Sequence, residues 1–252
     1  MRATIDWPER VWLVRHGQSA GNVARDAAEA AGSSLIDIAT RDADVPLSEL
    51  GQRQSNALGA WFAAQPPAEQ PDVILTSPFV RSQQTAAEVR DALGVHDPVC
   101  VDERLREREF GILDRYTHAG VKASFPDLDA QRTRVGKFYF RPPGGESWCD
   151  VILRLRSVVQ VLRRDYPERR VLIVAHQVVV NCFRYLIEHL DEQQVLAIDR
   201  EADVPNCGVT TYRADRSEER ACLVLVSANR EQPLAQTGTP VTCAPDTPAG
   251  PK

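Results

Sequence analysis

Lysine is almost missing from this chain. Only Lys122, Lys137 and Lys252 occur among the 30 basic residues, which leaves 27 arginines by subtraction (30 − 3), set against 35 acidic residues and a formal net charge of −5. No overall basic field draws such a protein to nucleic acid or to an anionic membrane surface, so neither is expected as a partner. Arginine is common enough here that residue type identifies nothing, and an arginine counts only by its position. Long apolar runs are missing too. The first, Val11 to Val14, is far too short to span a membrane, and Met1 to Arg10 lacks the apolar region of a secretion signal, so a cytoplasmic setting is expected. The six cysteines (Cys100, Cys149, Cys182, Cys207, Cys222, Cys243) form no Cys-x-x-Cys pair and have no neighbouring histidines, which reads as reduced thiols with no metal cage. With 43% hydrophobic and 26% charged residues, the 252-residue chain fits one soluble domain with a full core, placed at residues 1–228.

Set against these absences are four stretches that share one architecture. Val11-Trp-Leu-Val14 is an apolar run that breaks into Arg15-His16-Gly17, with Asn22 shortly after. A short apolar run closed by glycine reads as a buried strand, which puts His16 just past its carboxyl end. In open α/β sheets that rim is where ligands bind. Val171-Leu-Ile-Val-Ala175 likewise ends in His176-Gln177, followed by the helical pattern of Val179 to Leu190. Val73-Ile-Leu-Thr76 leads through Ser77-Pro78 into a helix whose first turn holds Arg81, and an arginine at a helix N-terminus is a natural anion site. Leu105 to Gly111 sets Glu107 ahead of a glycine as a possible proton donor. Two neutral-capable imidazoles and fixed cations at strand ends suit a phosphate ester, with one imidazole attacking phosphorus.

Taken in order, these motifs make the chain resemble the histidine phosphatase superfamily, the phosphoglycerate mutase-like family, from about Val11 to Val226. The resemblance implies that His16 becomes phosphorylated. It further implies that Arg15, Asn22 and Arg81 contact the phosphate, that Glu107 is the acid, and that His176 is the second histidine. Pro46-Leu-Ser48-Glu-Leu-Gly51-Gln-Arg-Gln54 is similar to the segment that opens the family's second helix, and Pro142-Pro-Gly-Gly-Glu146-Ser147 is similar to another family segment. Gln177 departs from the glycine most members carry; a His-Gln pair is familiar from the fructose-2,6-bisphosphatase branch, which adds Gln177 to the expected phosphate-binding residues. Cofactor-dependent mutases usually follow the catalytic Glu with Arg-His-Tyr-Gly, whereas Glu107 is followed by Arg-Glu-Phe-Gly, a departure that favours a phosphatase.

The remaining stretches are less specific. Residues 23–43 form an insertion, either a lid over the substrate's non-phosphate part or a solvent-facing excursion. Ser48 is a candidate N-cap for a helix carrying Leu50, Gln54, Leu58 and Phe62 on one face, and His96-Asp97-Pro98 reads as a turn. In Glu103 to Glu109 charge alternation alone cannot choose between Glu107 and Glu109 as the acid. Arg104, Arg106, Arg108 and Arg115 fit either a second anion site or a salt network. Residues 116–140 suggest one helix and then a mobile loop. Trp148, Val151, Ile152, Leu155, Val158 and Leu162 form a helical apolar stripe. Cys207 to Arg213 and Ala221 to Ser227 read as strands joined by a charged turn, residues 214–220. Residues 229–252, rich in Pro, Thr and Gly, read as a flexible tail.

The expected architecture is a three-layer α/β sandwich, a mainly parallel sheet with helices on both faces. The expected function is a metal-independent phosphatase that acts without a cofactor on a small phosphorylated substrate through phosphohistidine on His16. Phosphoglycerate mutase-type transfer and a catalytically silent phospho-ligand binder are the alternatives. A homodimer is left open.

Overall fold

In the computed structural model, which describes residues 7–95, 97–217 and 221–243, strands β1 (Arg10–Arg15), β2 (Val73–Thr76), β3 (Cys100–Val101), β4 (Arg170–Ala175), β5 (Val209–Asp215) and β6 (Cys222–Arg230) form one sheet. Their order is β3-β2-β4-β1-β5-β6. The β1, β2, β3 and β4 pairings are parallel, and β5 and β6 are added antiparallel. β1 and β4 are buried from their second residue onward, as strands covered on both faces must be.

Alternation along these two strands sorts the core into layers. Val11, Leu13, Val171 and Ile173 face one way, toward α6 (Trp148–Asp165) and α7 (Gln177–Ile187). Trp12, Val14, Leu172 and Val174 face the other way, toward α2 (Glu49–Ala63) and α3 (Val80–Ala92). The three-layer architecture therefore stands. Two of these helices carry the cap their sequence offers: Ser48 accepts from the Gly51 N–H at α2, and Ser147 forms a capping box with Asp150 at α6.

Several expectations need correction. Residues 23–43, expected to be an inserted lid or a solvent-facing excursion, begin inside α1 (Ala20–Ala30). Residues 33–36 then dock on the 115–117 segment through Thr117 N–H to Ser34 O (3.1 Å) and Ile36 N–H to Arg115 O (2.8 Å). Residues 116–140 hold two helices, α4 (His118–Ser124) and α5 (Pro126–Val135), where one helix and a loop were expected. The signals are local rather than periodic: Thr117 caps α4, and Pro126 starts α5 with acids in its first turn and arginines in its last. Helix α8 (Glu192–Glu201) follows α7, and α7 starts at Gln177, immediately after His176.

The tail expectation fails for residues 229–243. β6 runs on to Arg230, α9 (Gln232–Ala235) follows, and Leu234 is fully buried in the α2–α3 layer. A single apolar anchor leaves no periodicity to read, which is why composition misleads here. Residues 244–252, His96 of the expected 96–98 turn and residues 218–220 of the expected 214–220 turn lie outside the described residues. Among the described residues no helix is long and apolar enough to cross a membrane.

Candidate active site

The sheet register brings the two histidines together. Arg15 is paired with Ala175 at the last step of the β1–β4 ladder, and the His16 N–H continues it to Ala175 O at 3.0 Å. His16 and His176 therefore leave adjacent parallel strands at the same height, with ring centroids 5.0 Å apart. On the far side of β4, Thr76 pairs with Val174, so Ser77 emerges beside His176.

His16 is buried at 3% exposure, and its two nitrogens have fixed, opposite duties. Nδ1 lies 2.6 Å from Gly17 O, and a carbonyl can only accept, so the proton sits on Nδ1. Nε2 consequently presents a lone pair, and it accepts from Arg81 Nε at 3.2 Å. Burial, then the Arg81 and Arg15 charges, hold the imidazole's pKa well below its ordinary value, so the ring is neutral at pH 7. The turn that does this tolerates no side chain at residue 17. A Cβ on Gly17 would stand 2.5 Å from Gly51 O, where the first turn of α2 presses on the loop.

His176 is fully buried, its Nε2 2.8 Å from Ser77 Oγ and 3.4 Å from Ser82 Oγ. Its Nδ1 stands 3.8 Å from Glu107 Oε2. Burial and the cations Arg81 and Arg15, together with His16, keep this imidazole's pKa low as well. Glu107 is held by the Arg108 N–H, which donates to its Oε1 at 2.9 Å. The loop behind it is braced by Glu146 of the Pro-Gly-Gly-Glu-Ser segment, whose carboxylate takes Arg106 at 2.8 Å and Arg154 at 2.9 Å. Glu107 lines the cavity with a side chain 16% exposed. The Glu109 side chain, 51% exposed, does not line it and turns instead to Arg106 at 3.9 Å. Geometry thus separates the two glutamates that charge alternation could not.

Arg15 is buried, and burial pulls its pKa down to about 10, still charged at neutral pH. Its Nη1 donates to Val204 O at 2.6 Å and to Gln177 Oε1 at 2.8 Å. Gln177, expected on the phosphate, lines the cavity; its oxygen is taken by Arg15 and its Nε2 donates to Asp203 at 2.9 Å, so it also holds Arg15 in place. Asn22 closes the capping box of α1, its Oδ1 accepting from the Ser19 N–H at 3.0 Å, which leaves its amide hydrogens for the cavity it lines. Arg81, also buried, reaches His16 with Nε while its terminal nitrogens meet Asp42 of the insertion.

Sequence reasoning missed Asp42, Ser77 and Ser82 as site residues, because a lone Asp in an insertion and two serines near a helix start carry no periodic signal. It also missed Arg25 of α1 and Arg132 of α5 as cavity-lining residues, whereas Arg108 and Arg115, noted for a second anion, do line it. Arg104 and Arg106 belong to the salt network with Asp102 and Glu146. Among the described residues no three His, Cys, Asp or Glu side chains are grouped to hold a metal ion.

Comparison with known proteins agrees with this geometry. Residues 11–226 match the model of the histidine phosphatase superfamily (branch 1). The chain is 31% identical over 198 residues to a 2,3-bisphosphoglycerate-dependent phosphoglycerate mutase 2 of Gloeobacter violaceus, covering 77% of this chain and 82% of that one. It is 30% identical over 176 residues to a 6-phosphofructo-2-kinase/fructose-2,6-bisphosphatase of Caenorhabditis elegans, covering 69% of this chain and 33% of that larger protein. Among solved structures, the mycobacterial glucosyl-3-phosphoglycerate phosphatase in complex with VO3 superposes with a TM-score of 0.67 at 28% identity, over 88% of this chain and all of that one.

Proposed function

The chain belongs to the histidine phosphatase superfamily, and within it we propose that it is a metal-independent phosphatase that hydrolyses a small phosphate monoester through a phosphohistidine on His16. The observation that carries this reading is the tautomer of His16. Its Nδ1–H is committed to Gly17 O and its Nε2 lone pair is presented beside the Arg81 guanidinium. A neutral imidazole with an unprotonated nitrogen is what in-line attack on phosphorus requires.

In this mechanism Arg15, Arg81, Asn22 and His176 surround the transferring phosphoryl group, and the two arginines offset its charge. The Nε2 lone pair forms the P–N bond as the ester P–O bond breaks, and the leaving oxygen takes its proton from Glu107. A water then gives a proton back to Glu107 and forms a new P–O bond as the P–N bond breaks. Inorganic phosphate leaves and neutral His16 is restored. The arginines supply the positive charge that a divalent ion supplies in other phosphoryl-transfer sites.

A second reading, transfer to another hydroxyl as in the mutases, draws on the 31% identical relative. The Arg-Glu-Phe-Gly sequence after Glu107 supports hydrolysis over it. The test is to incubate the protein with a panel of phosphate monoesters in the presence of a chelator and an acceptor alcohol, measuring free phosphate and transferred phosphoryl separately. Free phosphate at an undiminished rate is the expected result. Transfer without release would favour a mutase, tight binding without turnover a phospho-ligand binder, and activity regained only with a divalent ion would remove the metal-independent mechanism.

A further inference from the structure

The loop 15–18 that carries the nucleophile is tied at both ends to one side chain outside the matched family segment. At one end the His16 carbonyl accepts from Asn206 Nδ2 at 2.8 Å. At the other the Gln18 N–H donates to Gln54 Oε1 at 2.8 Å. Both amides, fully buried, meet at Thr242: its Oγ1 donates to Asn206 Oδ1 at 3.0 Å and accepts from Gln54 Nε2 at 2.9 Å. The strap bearing Thr242 is itself held by Asn206 N–H to Thr242 O (2.9 Å) and by Gln54 Nε2 to Pro240 O (2.9 Å). Next to Asn206, the Cys207 N–H takes the Arg15 carbonyl at 2.9 Å, on a backbone turned to φ +56°.

We propose, resting on His16 as nucleophile, that Thr242 is a positioning residue for the phosphoryl-transfer step, acting on His16 through Asn206 and Gln54. The chemistry lies in the direction of the hydrogen bonds. A side-chain amide presents a donor and an acceptor at nearly the same place, and only its partners decide which faces where. By donating to Asn206 Oδ1, the Thr242 hydroxyl keeps Nδ2 turned to the His16 carbonyl; a reversed amide would set two oxygens against each other there. The same hydroxyl oxygen accepts from Gln54 Nε2, and with the Pro240 carbonyl of the same strap it keeps Oε1 on the Gln18 N–H. One hydroxyl thereby reaches both ends of the loop, and the Gly17 carbonyl that sets the His16 tautomer lies between them. Displacement of a nucleophile by a fraction of an ångström costs rate and leaves ground-state binding largely intact.

Thr242→Val keeps the shape and removes the hydroxyl, and Thr242→Ser restores it. In the full-length chain we expect Thr242→Val to lower kcat and the single-turnover rate of His16 labelling about tenfold, the rate equivalent of one buried hydrogen bond. KM should stay within about twofold, because Arg15 and Arg81 are held by other partners. Thr242→Ser should recover most of the rate. A role confined to stability would move the melting temperature and neither the kcat-to-KM split nor the serine rescue. Should valine fold poorly, Thr242→Ala, which only deletes atoms at a half-buried residue between exposed ones, carries the same expectation. A labelling rate equal to wild type in Thr242→Val or Thr242→Ala overturns this role alone. A wild-type protein that never labels His16 overturns the phosphatase reading, and this role with it.

Discussion

Asp42 lies across the guanidinium of Arg81 as a two-point partner, Oδ1 3.0 Å from Nη1 and Oδ2 3.1 Å from Nη2. A carboxylate there takes the same fork of donors that a phosphate would take. It comes from the insertion, which also walls the cavity with Ile36, Ile38 and Thr40. Of the two roles the sequence leaves open for residues 23–43, this contact supports the one that bears on substrate.

Under the proposed function, phosphate binding at Arg81 competes with Asp42. Asp42→Asn should tighten competitive inhibition by inorganic phosphate about threefold to fivefold, the scale of a half-exposed ion pair. An inhibition constant that is unchanged or weaker would show that Asp42 orients Arg81 rather than contests it.

Glu107 and Glu109 can be separated by leaving group. Glu107→Gln should slow an alkyl phosphate far more than nitrophenyl phosphate, whose leaving oxygen needs little protonation, by a ratio of about a hundredfold or more. Glu109→Gln should show no such contrast, since its half-exposed side chain does not line the cavity. Leaving-group dependence confined to the Glu109 variant would move the acid two residues along the loop.

Both active-site histidines have pKa values lowered by burial and by the neighbouring arginines, from an ordinary value of 6.5. With the folded pKa below the unfolded one, the unfolded chain takes up protons first. Stability contributed by each neutral imidazole is thus complete above about pH 6.5 and falls as pH drops below it, by up to about 1.4 kcal/mol per pH unit. Urea midpoints measured from about pH 7.5 to 5.5 should fall for the wild type and fall less steeply for His16→Asn. Parallel curves for the two proteins would contradict the neutral assignment of His16.

That Arg15, His16, Arg81 and His176 gather at one rim was legible because each ends or follows a strand or opens a helix, and strand ends are where a parallel sheet gathers its ligands; Glu107 was located by its spacing to Gly111. Gln177 was placed in the right locality; only coordinates show that its oxygen faces Arg15 and its nitrogen Asp203. Asp42, Thr242 and Asn206 were out of reach for a different reason. They act by single hydrogen bonds from segments without periodicity, and long-range pairing of that kind leaves no mark in local sequence. The ordered 229–243 segment shows the same limit, its place set by Leu234 and a few polar contacts.

The most direct test is to quench the enzyme rapidly during turnover of a phosphate monoester and map the covalent phosphoryl group by mass spectrometry under alkaline conditions that preserve phosphohistidine. The account predicts an acid-labile adduct on His16 that forms at a rate competent for turnover and is absent from His16→Ala. An adduct on another residue, or full phosphate release by His16→Ala, would contradict it.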